Sequence, residues 1–121
     1  MIQEVEMFKA VGEETRLRIM RIVLKAQSDL CACEIIDILE KPQYTVSKSL
    51  GVLVAAGVLS ERREGRMMFY TPVLTAITEP LFMSIRQIKC ACNEAFKGDF
   101  ARLSKRLASR VNGVCVEGCA K

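Results

Sequence analysis

A chain of 121 residues, half of them hydrophobic, is enough for one domain with a modest core and leaves no room for a second. Eighteen basic against fourteen acidic residues give a formal charge of +4, which permits nucleic-acid binding without requiring it. Six cysteines, no histidine, no glycine-rich phosphate loop and no plausible acid pair argue against an enzyme and against an imidazole-rich zinc or nickel site.

At the N-terminus Glu4, Glu6 and Lys9 interrupt any apolar run, so no signal peptide is expected. Uncharged stretches such as Ser49 to Ser60 are far shorter than the roughly 20 residues of a membrane span. The expectation is a soluble, cytoplasmic protein with no membrane partner, whose thiols stay reduced. Ile2, Val5, Phe8 and Val11 recur every three residues and predict a short amphipathic helix that Gly12 ends. Glu13 and Glu14 open a second helix, at the end where the helix dipole favours acids. Its inner face is read as Leu17, Met20, Val23 and Leu24, with Arg16, Arg18 and Arg21 outside. The chain turns around Ser28 to Leu30. A third helix buries Ile35, Ile38 and Leu39 and is broken at Lys41-Pro42.

A fourth helix starts near Gln43 to Thr45, carries Val46, Leu50 and Leu53 inward, and is capped by Gly57. Val58 to Arg63 and Met67 to Thr71 read as the strands of a hairpin around Glu64-Gly65-Arg66. Leu74, Ile77, Leu81, Ile85, Ile88 and Cys92 mark one face of a long helix, with Pro80 at its first turn or at a kink. Gly98 and Asp99 interrupt it. Phe100, Leu103 and Leu107 predict one more helix, and a glycine-bearing tail follows from Asn112.

Helices, a tight turn, a helix and a basic hairpin in this order make a mostly α, winged helix-turn-helix fold. Residues 1–97 would form the DNA-binding and dimerisation domain, and 98–121 a C-terminal helix with a cysteine-bearing tail. The fourth helix presents Gln43, Tyr44, Thr45, Ser47 and Lys48 outward. Such a helical N-terminus can enter a major groove, meet base edges and attract phosphate. Arg62, Arg63 and Arg66 on the hairpin can grip the flanking backbone or minor groove. An equally open reading pairs Arg62 and Arg63 with Glu61 and Glu64 as a solvated turn.

Three stretches carry a family resemblance. They are Glu14-Thr15-Arg16-Leu17-Arg18-Ile19-Met20, the run from Gln43 to Leu50 continuing through Ala56-Gly57-Val58-Leu59, and Arg62-Arg63-Glu64-Gly65-Arg66 with Tyr70. Together they resemble the corresponding parts of ArsR-SmtB repressors, over roughly residues 2 to 95. Ser49 departs from the pattern, standing where that family usually has histidine. The resemblance implies a homodimer that holds operator double-stranded DNA and falls off when metal binds. It also implies that the first helix and the long fifth helix pack across a two-fold axis. Ile2, Val5 and Phe8, with Leu81, Ile85 and Ile88, would then lie between protomers.

Leu30-Cys31-Ala32-Cys33-Glu34-Ile35 resembles the cysteine box of the arsenite- and cadmium-sensing branch. Inside a helix two such thiols would point about 200° apart. At a helix start the first can sit outside the spiral, and the helix dipole favours thiolate there. The alternative is that both are small core residues. A third cysteine often follows three positions on, where this chain has Ile36, and the first 30 residues contain none. The missing ligand must come from Cys90, Cys92, Cys115 or Cys119. Cys115 ranks first and Cys119 next, because a tail with glycines can adapt to a site, whereas Cys92 continues an apolar stripe. Three thiolates suit arsenite or antimonite, and four suit cadmium, lead or zinc. The reading is a repressor released by arsenite, with a cadmium or lead sensor and a thiol-based redox sensor as the alternatives.

Overall fold

A computed structural model of the chain describes residues 2–88 and 94–110. Helix α1 (Ile2–Val11) buries Met7, Ala10 and Val11, while Ile2, Val5 and Phe8 face outward at 82%, 43% and 63% exposure. Helix α2 (Glu14–Ala26) starts at Glu13, whose carboxylate accepts from the Arg16 N–H at 3.1 Å, and ends at Gln27 in the left-handed conformation. Its Ile19, Met20, Ile22 and Val23 are core residues.

The segment expected only to turn contributes a strand, β1 (Leu30–Cys31), directly before helix α3 (Ala32–Leu39). Helix α4 (Gln43–Ala55) follows Pro42 and turns Val46, Leu50 and Leu53 fully inward. Gly57, at φ +85°, takes the left-handed turn that ends it. Strands β2 (Leu59–Glu64) and β3 (Met67–Pro72) pair antiparallel around Gly65, also left-handed. The sheet order is β1-β3-β2, with Leu30 opposite Tyr70 and Cys31 opposite Phe69. The expected hairpin is thus a three-stranded sheet.

Helix α5 (Thr78–Arg86) is shorter than the apolar stripe predicted. It is nucleated by Thr75 and Thr78, whose hydroxyls accept from each other's backbone N–H groups at 2.9 and 3.2 Å. Pro80 sits in its first turn, where a missing N–H is harmless. Leu74 and Ile88 lie outside the helix. Leu81 and Ile85, expected between protomers, are buried in the chain's own core.

Helix α6 (Glu94–Ala108) runs straight through Gly98 and Asp99, which were expected to interrupt the chain between the fifth helix and this one. The reason is the company Asp99 keeps. Its side chain is fully buried and accepts from Arg18 at 2.7 and 2.8 Å and from Arg102 at 3.0 Å. A carboxylate satisfied by two guanidiniums has no need of the local backbone bonds that make aspartate a turn former. Arg18 and Arg21 therefore point inward rather than outward. Arg21 donates to the carbonyls of Ile85 and Arg86 and lies over the rings of Phe96 and Phe100, 4.9 and 4.8 Å from their centroids.

A run of arginine–acid pairs docks α6 antiparallel on α3. Arg102 meets Glu40 at 3.5 Å, Arg106 meets Asp37 at 3.2 Å, and Arg110, just past the helix, meets Glu34 at 2.6 Å. No described helix is long and apolar enough to cross a membrane.

Candidate nucleic-acid interface and cysteine box

The buried row Val46, Leu50 and Leu53 sets the rotation of α4. That rotation leaves Gln43, Tyr44, Ser47 and Lys48 in solvent at its first two turns, with Tyr44 77% exposed, and Thr45 half-buried. Pro42 offers no side-chain cap, so the first N–H groups of α4 remain open to an incoming acceptor. Ser49 is buried on the inner face.

The three wing arginines are exposed but not equivalent. Arg62 pairs with Glu64 at 2.6 Å and with Asp29 at 2.7 Å, and lies over the Phe69 ring at 5.0 Å. The solvated-turn reading therefore holds for Arg62 and Glu64. Arg63 and Arg66 form no ion pair among the described residues. On the other face, burial and the Glu61 carboxylate beside it push the Tyr70 phenol up.

Cys31 stands where the spacing placed it, at the N-cap of α3 with an extended backbone, outside the helical spiral. Its side chain is 1% exposed. Cys33, in the first turn, is half-buried. Ile36, at the position of a third box cysteine, is core. Cys90, Cys92, Cys115 and Cys119 lie outside the described residues. Among the described residues no three cysteines or acids gather as a metal-holding group.

Glu34 is the residue the sequence did not flag. Fully buried at the third position of α3, it accepts from the Cys31 N–H at 3.1 Å and from Arg110 at 2.6 and 2.7 Å. Arg110 also donates to the Asp29 carbonyl at 2.7 Å. The motif that betrays such an arrangement is a serine or threonine three positions before a glutamate. Here the N-cap is a cysteine, and the arginine is 76 residues away.

Burial works to raise the Glu34 pKa, but the bonds from Arg110 and Cys31 and the charges of Arg110 and Arg106 prevail and hold it below its ordinary 4.5. Such a group stabilises the fold fully above its unfolded pKa and loses that contribution as pH falls through the folded one. The thermal midpoint should therefore drop as pH is lowered from 4.5. A Glu34→Gln protein should start less stable at neutral pH and lose less on acidification, the two curves converging in acid. Parallel curves by circular dichroism would show that Glu34 and Arg110 do not act as a charged pair.

Residues 13–61 match a family model described as bacterial regulatory protein, arsR family. An uncharacterized HTH-type transcriptional regulator of Methanocaldococcus jannaschii is 46% identical over 65 residues, which are 54% of this chain and 72% of that protein. The arsenic resistance transcriptional regulator ArsR1 of Pseudomonas putida is 36% identical over 63 residues, 52% of this chain and 48% of its own length. The match thus spans about half of that second relative. Among solved structures, reduced HlyU from Vibrio cholerae superposes with a TM-score of 0.64 at 27% identity, covering 74% of this chain and 90% of that one.

Proposed function

The chain belongs to the arsR family of winged-helix, DNA-binding transcriptional regulators, and from that premise we propose that it is a repressor released from operator DNA by a thiophilic metalloid, arsenite first, bound through cysteine thiolates. The observation that carries this is the place of Cys31. It ends the strand that pairs with the wing and begins the helix that leads into α4, so ligation there displaces both DNA-contacting elements at once. Cys33 is the second ligand. Cys115 is the third, with Cys119 after it. Arg110 supports this choice, because its grip on Glu34 and Asp29 starts the tail beside the box. Five further residues reach at most about 17 Å, enough to return a thiolate to its neighbour. Three sulfurs match arsenite or antimonite; a fourth would admit cadmium or lead.

On the DNA, Gln43, Tyr44, Thr45, Ser47 and Lys48 would enter the major groove. Arg62, Arg63 and Arg66 would hold the backbone beside it. The outward row Ile2, Val5 and Phe8 on α1, with Met83 on α5 also exposed, supports a homodimer as part of this reading.

The test is fluorescence anisotropy on a duplex that the protein itself selects from a random pool. Arsenite should release it at lower concentration than cadmium, lead or peroxide. Release by peroxide alone would replace the metalloid reading with the redox one. Replacing Gln43 by alanine should cost about 1–3 kcal/mol of binding and relax base preference, while Lys48→Ala should lower the salt slope by about one. A double variant with parental affinity would remove α4 from the interface.

A further inference from the structure

Through the Asp29 side chain the segment carrying the cysteine box meets both strands of the wing. Asp29 stands just before β1, two positions ahead of Cys31. Its carboxylate accepts from Arg62 of β2 at 2.7 Å and from the hydroxyl of Thr71 of β3. Arg62 is held further by Glu64 and lies over Phe69, which is the register partner of Cys31. The guanidinium is thus fixed from below by a ring opposite the buried cysteine and from the side by the residue that precedes its strand.

We propose that Asp29 is the positioning residue that aims Arg62 at the DNA backbone and passes displacement of the cysteine box to it; the second half of this rests on the reading of the box as the sensor. An arginine on an exposed strand samples many rotamers, and holding it in one lowers the ordering cost of meeting a phosphate. A guanidinium has five donors. Asp29 and Glu64 engage one terminal nitrogen each, which leaves donors for DNA. The clamp is also easy to open. Both partners are nearly half exposed, so the pair adds little to stability. Strand β1 has only two residues, bridged to β3 at Leu30 and Cys31. Cys31 is buried, so a thiolate that turns to meet an ion must pull on this strand. The carboxylate of Asp29 goes with it, leaving Arg62 to Glu64 alone and free to change rotamer.

The experiment is a double-mutant cycle of Asp29→Asn and Arg62→Gln. Affinity for the selected duplex is read with and without arsenite, and arsenite stoichiometry is followed by thiolate absorption. Without arsenite, Asp29→Asn should weaken DNA binding about two- to fivefold. It should do so only where Arg62 is present. Arsenite should then weaken the Asp29→Asn protein less than the parent by about the same factor, at unchanged stoichiometry. Equal or tighter DNA binding by Asp29→Asn would overturn the proposal, because Asp29 would then merely neutralise the arginine. An unchanged effect in the Arg62→Gln background would overturn it too, as would an undiminished response to arsenite. If arsenite does not bind the parent at all, the sensor reading falls, and the four arsenite-free affinities still decide whether Asp29 aims Arg62.

Discussion

A Cys31→Ser protein should hold its operator as the parent does and no longer let go when arsenite is added. Coupling between two sites typically amounts to about 1–3 kcal/mol, so the parent's affinity should fall by roughly 5- to 150-fold and the variant's should stay level. Loss of fold is not the explanation to fear. Residue 31 is the N-cap of α3, and Glu34 already returns its carboxylate to the N–H there. Serine at that position completes the serine–glutamate capping box, which favours the helix start. The hydroxyl keeps the shape but is a poor ligand for a soft ion. Cys33→Ser should behave alike. Cys115→Ser should match them or nearly so, and Cys90→Ser or Cys92→Ser should change release little. X-ray absorption of the arsenic complex should show three sulfur neighbours. Normal release from the Cys31→Ser protein would remove the box from the sensor, and a blind Cys92→Ser beside a responsive Cys115→Ser would move the third ligand.

The second large effect is structural. Asp99→Ala should destabilise the fold by about 3–5 kcal/mol, because it leaves the buried Arg18 guanidinium without its counter-charge. Both oxygens of Asp99 accept from Arg18, and that bond holds Arg18 more basic than usual. Urea unfolding followed by circular dichroism measures the loss. A change under about 1 kcal/mol would place Asp99 with exposed pairs such as Lys9 and Glu6, which contribute little.

The parts of this fold that announce themselves in sequence are those whose inner faces are purely apolar. Val46, Leu50 and Leu53 give α4 its rotation, and hence the outward set from Gln43 to Lys48. Gly57 and Gly65 mark left-handed turns that other residues rarely take. Cys31 and Cys33 stood out through the resemblance of the stretch from Leu30 to Ile35 to a known cysteine box. What stayed hidden has charge on the inside. The buried row of α6 is Phe96, Asp99, Leu103 and Arg106, a regular helical period that disappears if aspartate and arginine are counted as surface. Arg18 and Arg21 hid the full inner face of α2 in the same way. Leu81 and Ile85 show a different limit: an amphipathic stripe tells that something covers it, not whether that is the same chain or another. Glu34 and Arg110 meet across 76 positions, and no local pattern records such a meeting. Strand β1 is too short to have a period.

The pairing of Arg18 with Asp99 also sets a timetable for the newborn chain. The two residues lie 81 positions apart. At synthesis rates of about 5–20 residues per second, Arg18 emerges roughly 4–16 s before its partner is made. Throughout that interval α2 cannot bury its arginine without an unpaired charge, so the groups we propose as the DNA contacts are made before the scaffold beneath them can close. Until α6 arrives, the ribosome holds a helix-turn-helix in outline only, with apolar surface open to whatever chaperone or neighbouring chain reaches it first.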